Sequence, residues 1–94
     1  MAPDHVSGFI RSMHPHLKRK VKASLKLILI NPLAGKALKD ELNGLMSFRV
    51  SRFRIIYRIS QKRHIEVIAI GPRERIYEDT FRIINIEQKG RFKD

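Results

Sequence analysis

At about residue 46 the spacing of the apolar residues changes, and the two sides of that boundary must fold differently. Before it the spacing is helical. Val6, Phe9, Ile10 and Met13 fall at i, i+3, i+4 and i+7, which predicts a helix over residues 4–13. Asp4 or Pro3 can open it. His14-Pro15 closes it, because the residue before a proline is pushed out of helical geometry. Pro15 suits the first turn of a second helix, which runs to about Ile30 and stops at Asn31-Pro32. Leu17, Val21, Leu25, Ile28 and Leu29 lie on one side of that helix and lysines on the other. Residues 4–30 thus read as a helical hairpin, each helix with one face to bury.

After the boundary the period is 2. Phe48 and Val50 alternate with Ser47, Arg49 and Ser51; Phe53, Ile55, Tyr57 and Ile59 alternate with Arg54, Ile56 and Arg58. Ile65, Val67 and Ala69 alternate with His64, Glu66, Ile68 and Ile70. Residues 46–71 therefore predict a three-strand antiparallel meander, with turns at Ser51-Arg52 and at 60–63, closed by Gly71-Pro72. Between the halves, residues 33–45 form a connector anchored by Leu38, Leu42 and Leu45, with Gly35 and Gly44 as turn points. Residues 77–86 predict a short last helix with Tyr77, Phe81 and Ile84 on one face, and 88–94 a frayed tail.

Strands with one apolar face need cover, and the hairpin supplies it. The expected class is α+β: an N-terminal helical hairpin packed on a small antiparallel meander, with a short C-terminal helix. At 94 residues, positions 1–94 read as one domain. There is no cysteine, which excludes a disulfide scaffold. Apolar runs no longer than four residues, as at Leu27–Ile30, are far short of the ~20 residues a spanning helix needs, so no membrane partner is expected. The N-terminus lacks the charged-then-apolar order of a signal peptide, which makes the cytoplasm the expected compartment.

Charge narrows the partner. Twenty Lys+Arg face nine Asp+Glu, a net +11. Solubility of a small domain needs only ~2–8 net charges. The excess attracts polyanions, with nucleic acid first and acidic protein segments or anionic lipid behind. The helical half carries mainly lysine (Lys18, Lys20, Lys22, Lys26, Lys36, Lys39) and the strand half mainly arginine. Arginine's planar fork suits bidentate contact with phosphate. The uncovered sheet face is expected to show Arg49, Arg54 and Arg58. Arg52, Arg58, Lys62, Arg75, Lys18 and Lys22 are the candidate RNA-binding residues. The bland reading of Arg54 and Arg58 is a solvated strand face, that of Tyr77 a core anchor for the last helix, and that of Arg73 and Arg75 surface pairing with Glu74.

Several runs carry a family resemblance: Leu42-Asn43-Gly44-Leu45, Phe48-Arg49-Val50, Phe53-Arg54-Ile55-Ile56-Tyr57-Arg58-Ile59, and Ile68 through Gly71-Pro72-Arg73-Glu74-Arg75-Ile76-Tyr77. With the Asn31-Pro32 stop they make the chain resemble the RelE/ParE superfamily of bacterial toxins, over almost its whole length. The resemblance implies a small antiparallel sheet wrapped on one side by a helical hairpin. Family members normally begin with a strand before the first helix; here helical spacing starts at about residue 4, so that strand is expected to be missing or to lie outside this chain. Its loss would leave a sheet edge open to another chain.

For the RelE-like branch the resemblance implies a metal-independent endoribonuclease that cuts mRNA on the ribosome and is held in check by an antitoxin. The implied partners are a cognate antitoxin, mRNA and the ribosome, with a homodimer or a heterotetramer with antitoxin as the assemblies. The reaction is attack by a ribose 2′-hydroxyl on the adjacent phosphate. It needs a proton acceptor, donors for the charge on the transition state and a proton for the leaving oxygen. Arg49, Arg54 and Arg73 match family positions and are assigned to phosphate binding and charge stabilisation. Tyr77 is assigned to base stacking or proton transfer. Ser51 stands where some relatives have lysine. The rivals are a ParE-like toxin that binds DNA gyrase and an inactive relative that only binds RNA or antitoxin. His64 is a further candidate base. His14-Pro15-His16 lacks the partners of a metal site, and no Gly-rich phosphate loop or paired carboxylates occur, so no metal or cofactor is expected.

Overall fold

Each proline break ends a helix in the structure, a computed structural model that describes residues 4–61 and 64–91. Helix α1 spans Asp4–Ser12 and α2 spans Pro15–Ile30. His14 caps α2, its Nδ1 accepting from the His16 amide at 3.3 Å, and Pro15 sits where its missing N–H costs nothing. Val6, Met13, Val21 and Ile28 are buried, with Phe9, Ile10, Leu17 and Leu25 packed against them. Leu29 departs from the expected stripe and is 66% exposed. One residue past Ile28 turns the helix by roughly 100°, which swings Leu29 off the sheet.

The expected meander is present as β2 (Met46–Val50), β3 (Phe53–Ile59) and β4 (Ile65–Pro72), and the connector adds a short strand β1 (Lys36–Ala37). The order is β1-β2-β3-β4, antiparallel throughout. Lys36 pairs with Ser47 and Ala37 with Met46. Turns of 3-10 helix at Pro32–Ala34 and Asp40–Leu42 flank β1. Val50 pairs with Phe53 across the Ser51-Arg52 turn, where Ser51 has φ 58°. A left-handed first residue is what a two-residue hairpin loop often demands.

Both faces of the sheet are covered, where one was expected to stand open. The hairpin packs on Val50, Ile55, Tyr57, Val67 and Ile70. On the other face Leu45, Ile56, Ile68, Ala69 and Ile76 form a second cluster, joined by Leu38, Leu42, Ile83 and Ile84. A bulge opposite Ile56 and Tyr57 shifts β4 by one position, so Ala69 faces the second cluster and Ile70 the first. Strict alternation had put Ala69 with Ile65 and Val67, and one inserted residue reverses every side chain beyond it.

Helix α3 spans Ile76–Arg91, longer than the 77–86 expected, and includes residues 88–91 of the expected tail. Its buried side is also turned. Ile76 and Thr80 are buried, while Tyr77 and Phe81 are 36% and 42% exposed. Thr80 Oγ1 donates to the Ile76 carbonyl at 2.6 Å, which satisfies the hydroxyl inside the core. A polar residue at a core position hid that face from the pattern. Positions 62, 63 and 92–94 lie outside the described residues.

Tyr57 locks the connector to the sheet. It is fully buried, donates to the Pro32 carbonyl at 2.7 Å and accepts from the Gly35 amide at 3.1 Å. Burial pushes its phenol above the ordinary 10.0. The fold thus favours the protonated form. As pH rises past 10 the unfolded chain loses this proton first, so the contribution is complete below that pH and fades as the folded value is approached. Urea denaturation between about pH 8 and about pH 11 should show stability falling more steeply for the native chain than for Tyr57→Phe. Parallel curves would show that the phenol ionises as freely in the fold as in water.

Candidate functional site

Strand register brings three remote segments to one corner of the sheet. Arg49 lies opposite Arg54 across β2 and β3, and Arg54 lies opposite Gly71, two residues before Arg73. The Arg73 amide donates to the Arg52 carbonyl at 2.9 Å, fastening the end of β4 to the β2–β3 turn. Arg49, Ser51, Arg52, Arg73 and Glu74 line a cleft of about 260 Å³ at this corner. Arg49 Nε donates to the Ser51 carbonyl at 3.4 Å.

Among the described residues the ion pairs are Arg58–Glu66 and Arg82–Glu78, and neither involves a cleft arginine. Three guanidiniums without carboxylate partners repel one another, a cost that an anion with several oxygens would offset. Glu74 is the acid among the lining residues.

Arg54 shares the face but reaches inward. One Nη donates to Ser47 Oγ at 3.0 Å, and Ser47 Oγ lies 3.4 Å from Tyr77 Oη. Arg54 Nε is buried with no partner among the described residues. Such an unmade bond costs ~1–3 kcal/mol. Tyr77, exposed at the start of α3, borders a second cleft of about 360 Å³ formed with the 36–42 segment.

The other sequence candidates fall elsewhere. Arg58 is neutralised by Glu66 across β3 and β4. Arg75 is exposed just before α3, its amide donating to the Pro72 carbonyl. Lys18 and Lys22 belong to α2, in the layer that covers the opposite face of the sheet. Lys18 Nζ donates to the Arg11 carbonyl at 3.4 Å. Lys62 lies outside the described residues. His64 sits beyond the far end of β3, whose length of roughly 20 Å separates it from the arginine corner. It is therefore out of reach as a base for that cleft. His5 Nε2 is 3.0 Å from the Ile68 carbonyl, a bond of α1 to the sheet.

Two members of the site went unread in the sequence. Ser47 looked like one more outward polar residue of β2, and the link it makes depends on α3 packing over it. Glu74 figured only in the bland reading, as a surface partner of Arg73 and Arg75; among the described residues it makes no ion pair.

A family model described as ParE toxin of type II toxin–antitoxin system, parDE, matches residues 10–77. No curated protein sequence matches the chain. Among solved structures, the toxin–antitoxin complex RelBE2 from Mycobacterium tuberculosis contains a similar chain, with 22% identity and a TM-score of 0.66, covering 78% of this chain and 94% of that one. The isolated RelE toxin of E. coli is similar with 18% identity and a TM-score of 0.65, covering 88% of this chain and 94% of that one. Both are likenesses of fold: helical hairpin, antiparallel sheet, C-terminal helix. Among the described residues no helix is long and apolar enough to cross a membrane.

Proposed function

The chain belongs to the ParE toxin family of type II toxin–antitoxin systems, and we propose that it stops translation by cutting mRNA on the ribosome. The observation that carries this reading is the gathering of Arg49, Arg52 and Arg73 around one cleft, with no ion pair to any of them among the described residues. In the proposed reaction the ribose 2′-oxygen attacks phosphorus, the bond to the 5′-oxygen breaks, and a cyclic phosphate and a free 5′-hydroxyl result. The three guanidiniums hold the phosphate and meet the charge that grows on its oxygens. They keep their own protons throughout. Glu74, the carboxylate lining the cleft, accepts the 2′ proton, and the leaving 5′-oxygen takes its proton from water. Arg54 orients Ser47 and, through it, the Tyr77 hydroxyl beside the second cleft.

The expected partners are mRNA, the ribosome and an antitoxin. A structural neighbour is a toxin–antitoxin complex, and a net +11 suits an acidic antitoxin segment. Leu29, Ile30 and Leu33 stand 66–82% exposed at the end of α2, next to its lysine side. An amphipathic acidic segment folding onto them would bury that apolar surface.

The test is primer extension on ribosome-bound message mixed with the purified chain. New 5′ ends within the A site, absent without ribosomes, are the expected result. Gyrase binding is the second reading, favoured by the ParE description of the matching family. Inhibited supercoiling with the message intact would decide for it. Ribosome binding that never leads to a cut would make the chain an inactive relative.

A further inference from the structure

Where the arginine array ends, at Tyr77, a surface of different chemistry begins. The second cleft, of about 360 Å³, falls within the ~300–1,000 Å³ range of small-ligand sites. Leu38 and Leu42 give it aliphatic walls and are themselves packed on the second core cluster, so those walls are fixed. The Tyr77 ring gives it a flat aromatic one. Aromatic and aliphatic faces around a slot suit a planar ring held by stacking.

The cleft adjoins the arginine corner. Ser47 and Arg49 lie on one face of β2, two residues or about 6.8 Å apart. Ser47 touches Tyr77, and β1 places Lys36 directly across from it. Lys36 and Lys39 also line the second cleft. Asp40 lines the same cleft and makes no ion pair among the described residues, although Lys36 and Lys39 precede it closely in sequence. Its φ of 56° is a left-handed conformation that aspartate tolerates better than most residues. Asp40 is also the one lining side chain that accepts hydrogen bonds without donating any.

We infer that this cleft is a nucleobase subsite, for the nucleotide next to the one whose phosphate the arginines hold, and that it prefers bases carrying an exocyclic amino group over uracil. The inference rests on the nuclease reading for the identity of the polymer. A carboxylate accepts from the amino groups of adenine, cytosine or guanine. Uracil offers a single N–H flanked by two carbonyl oxygens, which a carboxylate repels. Lys36 and Lys39 then meet the phosphates on either side, adding affinity without selecting sequence.

The test is an NMR titration of the full chain with AMP, CMP, GMP and UMP, following the Tyr77 ring protons. The three amino-bearing nucleotides are expected to bind roughly tenfold more tightly than UMP. Asp40→Asn keeps a residue that accepts the same backbone geometry but can both donate and accept, and should bring all four nucleotides within about twofold. Four equal affinities for the native chain would overturn the subsite, as would shifts in arginine resonances with Tyr77 unmoved. The titration needs no cutting. Nucleotide selectivity with intact message would overturn the nuclease reading alone, and cutting without selectivity would overturn the subsite alone.

Discussion

Gly35→Ala is expected to cost about 2–4 kcal/mol of folding stability, although the site is a loop next to a two-residue strand. The backbone there asks nothing special: φ is −80° and ψ 175°, open to any residue. Space is the constraint. A Cβ at Gly35 would lie 2.6 Å from Tyr57 Oη, 3.0 Å from the Ser47 carbonyl oxygen and 3.1 Å from Tyr57 Cε1. The Tyr57 ring is fully buried between the hairpin and the sheet and has nowhere to go. Overpacking a tight core costs ~1–3 kcal/mol. Displacing the phenol also stretches its bonds to Pro32 and Gly35, each worth ~1 kcal/mol.

Tyr57→Phe tests this cause. Alone it leaves the Pro32 carbonyl and the Gly35 amide without their partner, at ~1–3 kcal/mol. Combined with Gly35→Ala it removes the oxygen the new methyl would strike. The double variant should then lose at least about 1 kcal/mol less than the sum of the singles in urea denaturation. Strict additivity would mean that the methyl clashes with something else. The contact also reaches the functional face, because residue 35 leads straight into Lys36, opposite Ser47.

The parts of this fold written in local spacing were legible, and those set by contact between distant segments were not. Val6, Phe9, Ile10 and Met13 announced α1, and Pro15 and Pro32 marked where helices had to stop. The three long strands followed from alternation. Strand β1 did not, because two residues carry no period and exist as a strand only through β2. The bulge in β4 leaves no mark in an unbroken run of Ile, Val and Ala. The covered second face was missed because Thr80 interrupts the stripe of α3 and because Leu38 and Leu42 gave no sign of which side they would anchor.

The site divides the same way. Arg49, Arg54 and Arg73 could be named from sequence, but which of them share a cleft depends on the Arg73 amide reaching Arg52, a tertiary contact. Arg52 thereby joins Arg49 and Arg73, while Arg54 is drawn inward by Ser47. Arg58 looked equivalent to Arg54 in the pattern. One acid on the neighbouring strand makes it an ion-pair partner instead.

On the proposed nuclease reading, Arg73→Ala should slow ribosome-dependent cutting by roughly a hundredfold or more, the loss that follows removal of one donor to a transition-state oxyanion. The comparison that gives this meaning is Arg82→Ala. Both variants remove one positive charge from a chain of net +11. Arg82 lies on the exposed side of α3, paired with Glu78, each about 70% exposed, where an ion pair contributes little. Its loss should change the rate by no more than about twofold, because a general positive field is barely altered by one charge at the periphery. Arg73→Lys should recover only part of the rate, since an ammonium keeps the charge and loses the two-pronged geometry. Thermal melts of all three should agree within a few degrees, as Arg73 is exposed and holds the fold through its backbone amide rather than its side chain. Equal losses from Arg73→Ala and Arg82→Ala would reduce the cleft to a share of the overall field. Full activity in Arg73→Lys would leave charge as sufficient and remove the guanidinium fork from the mechanism.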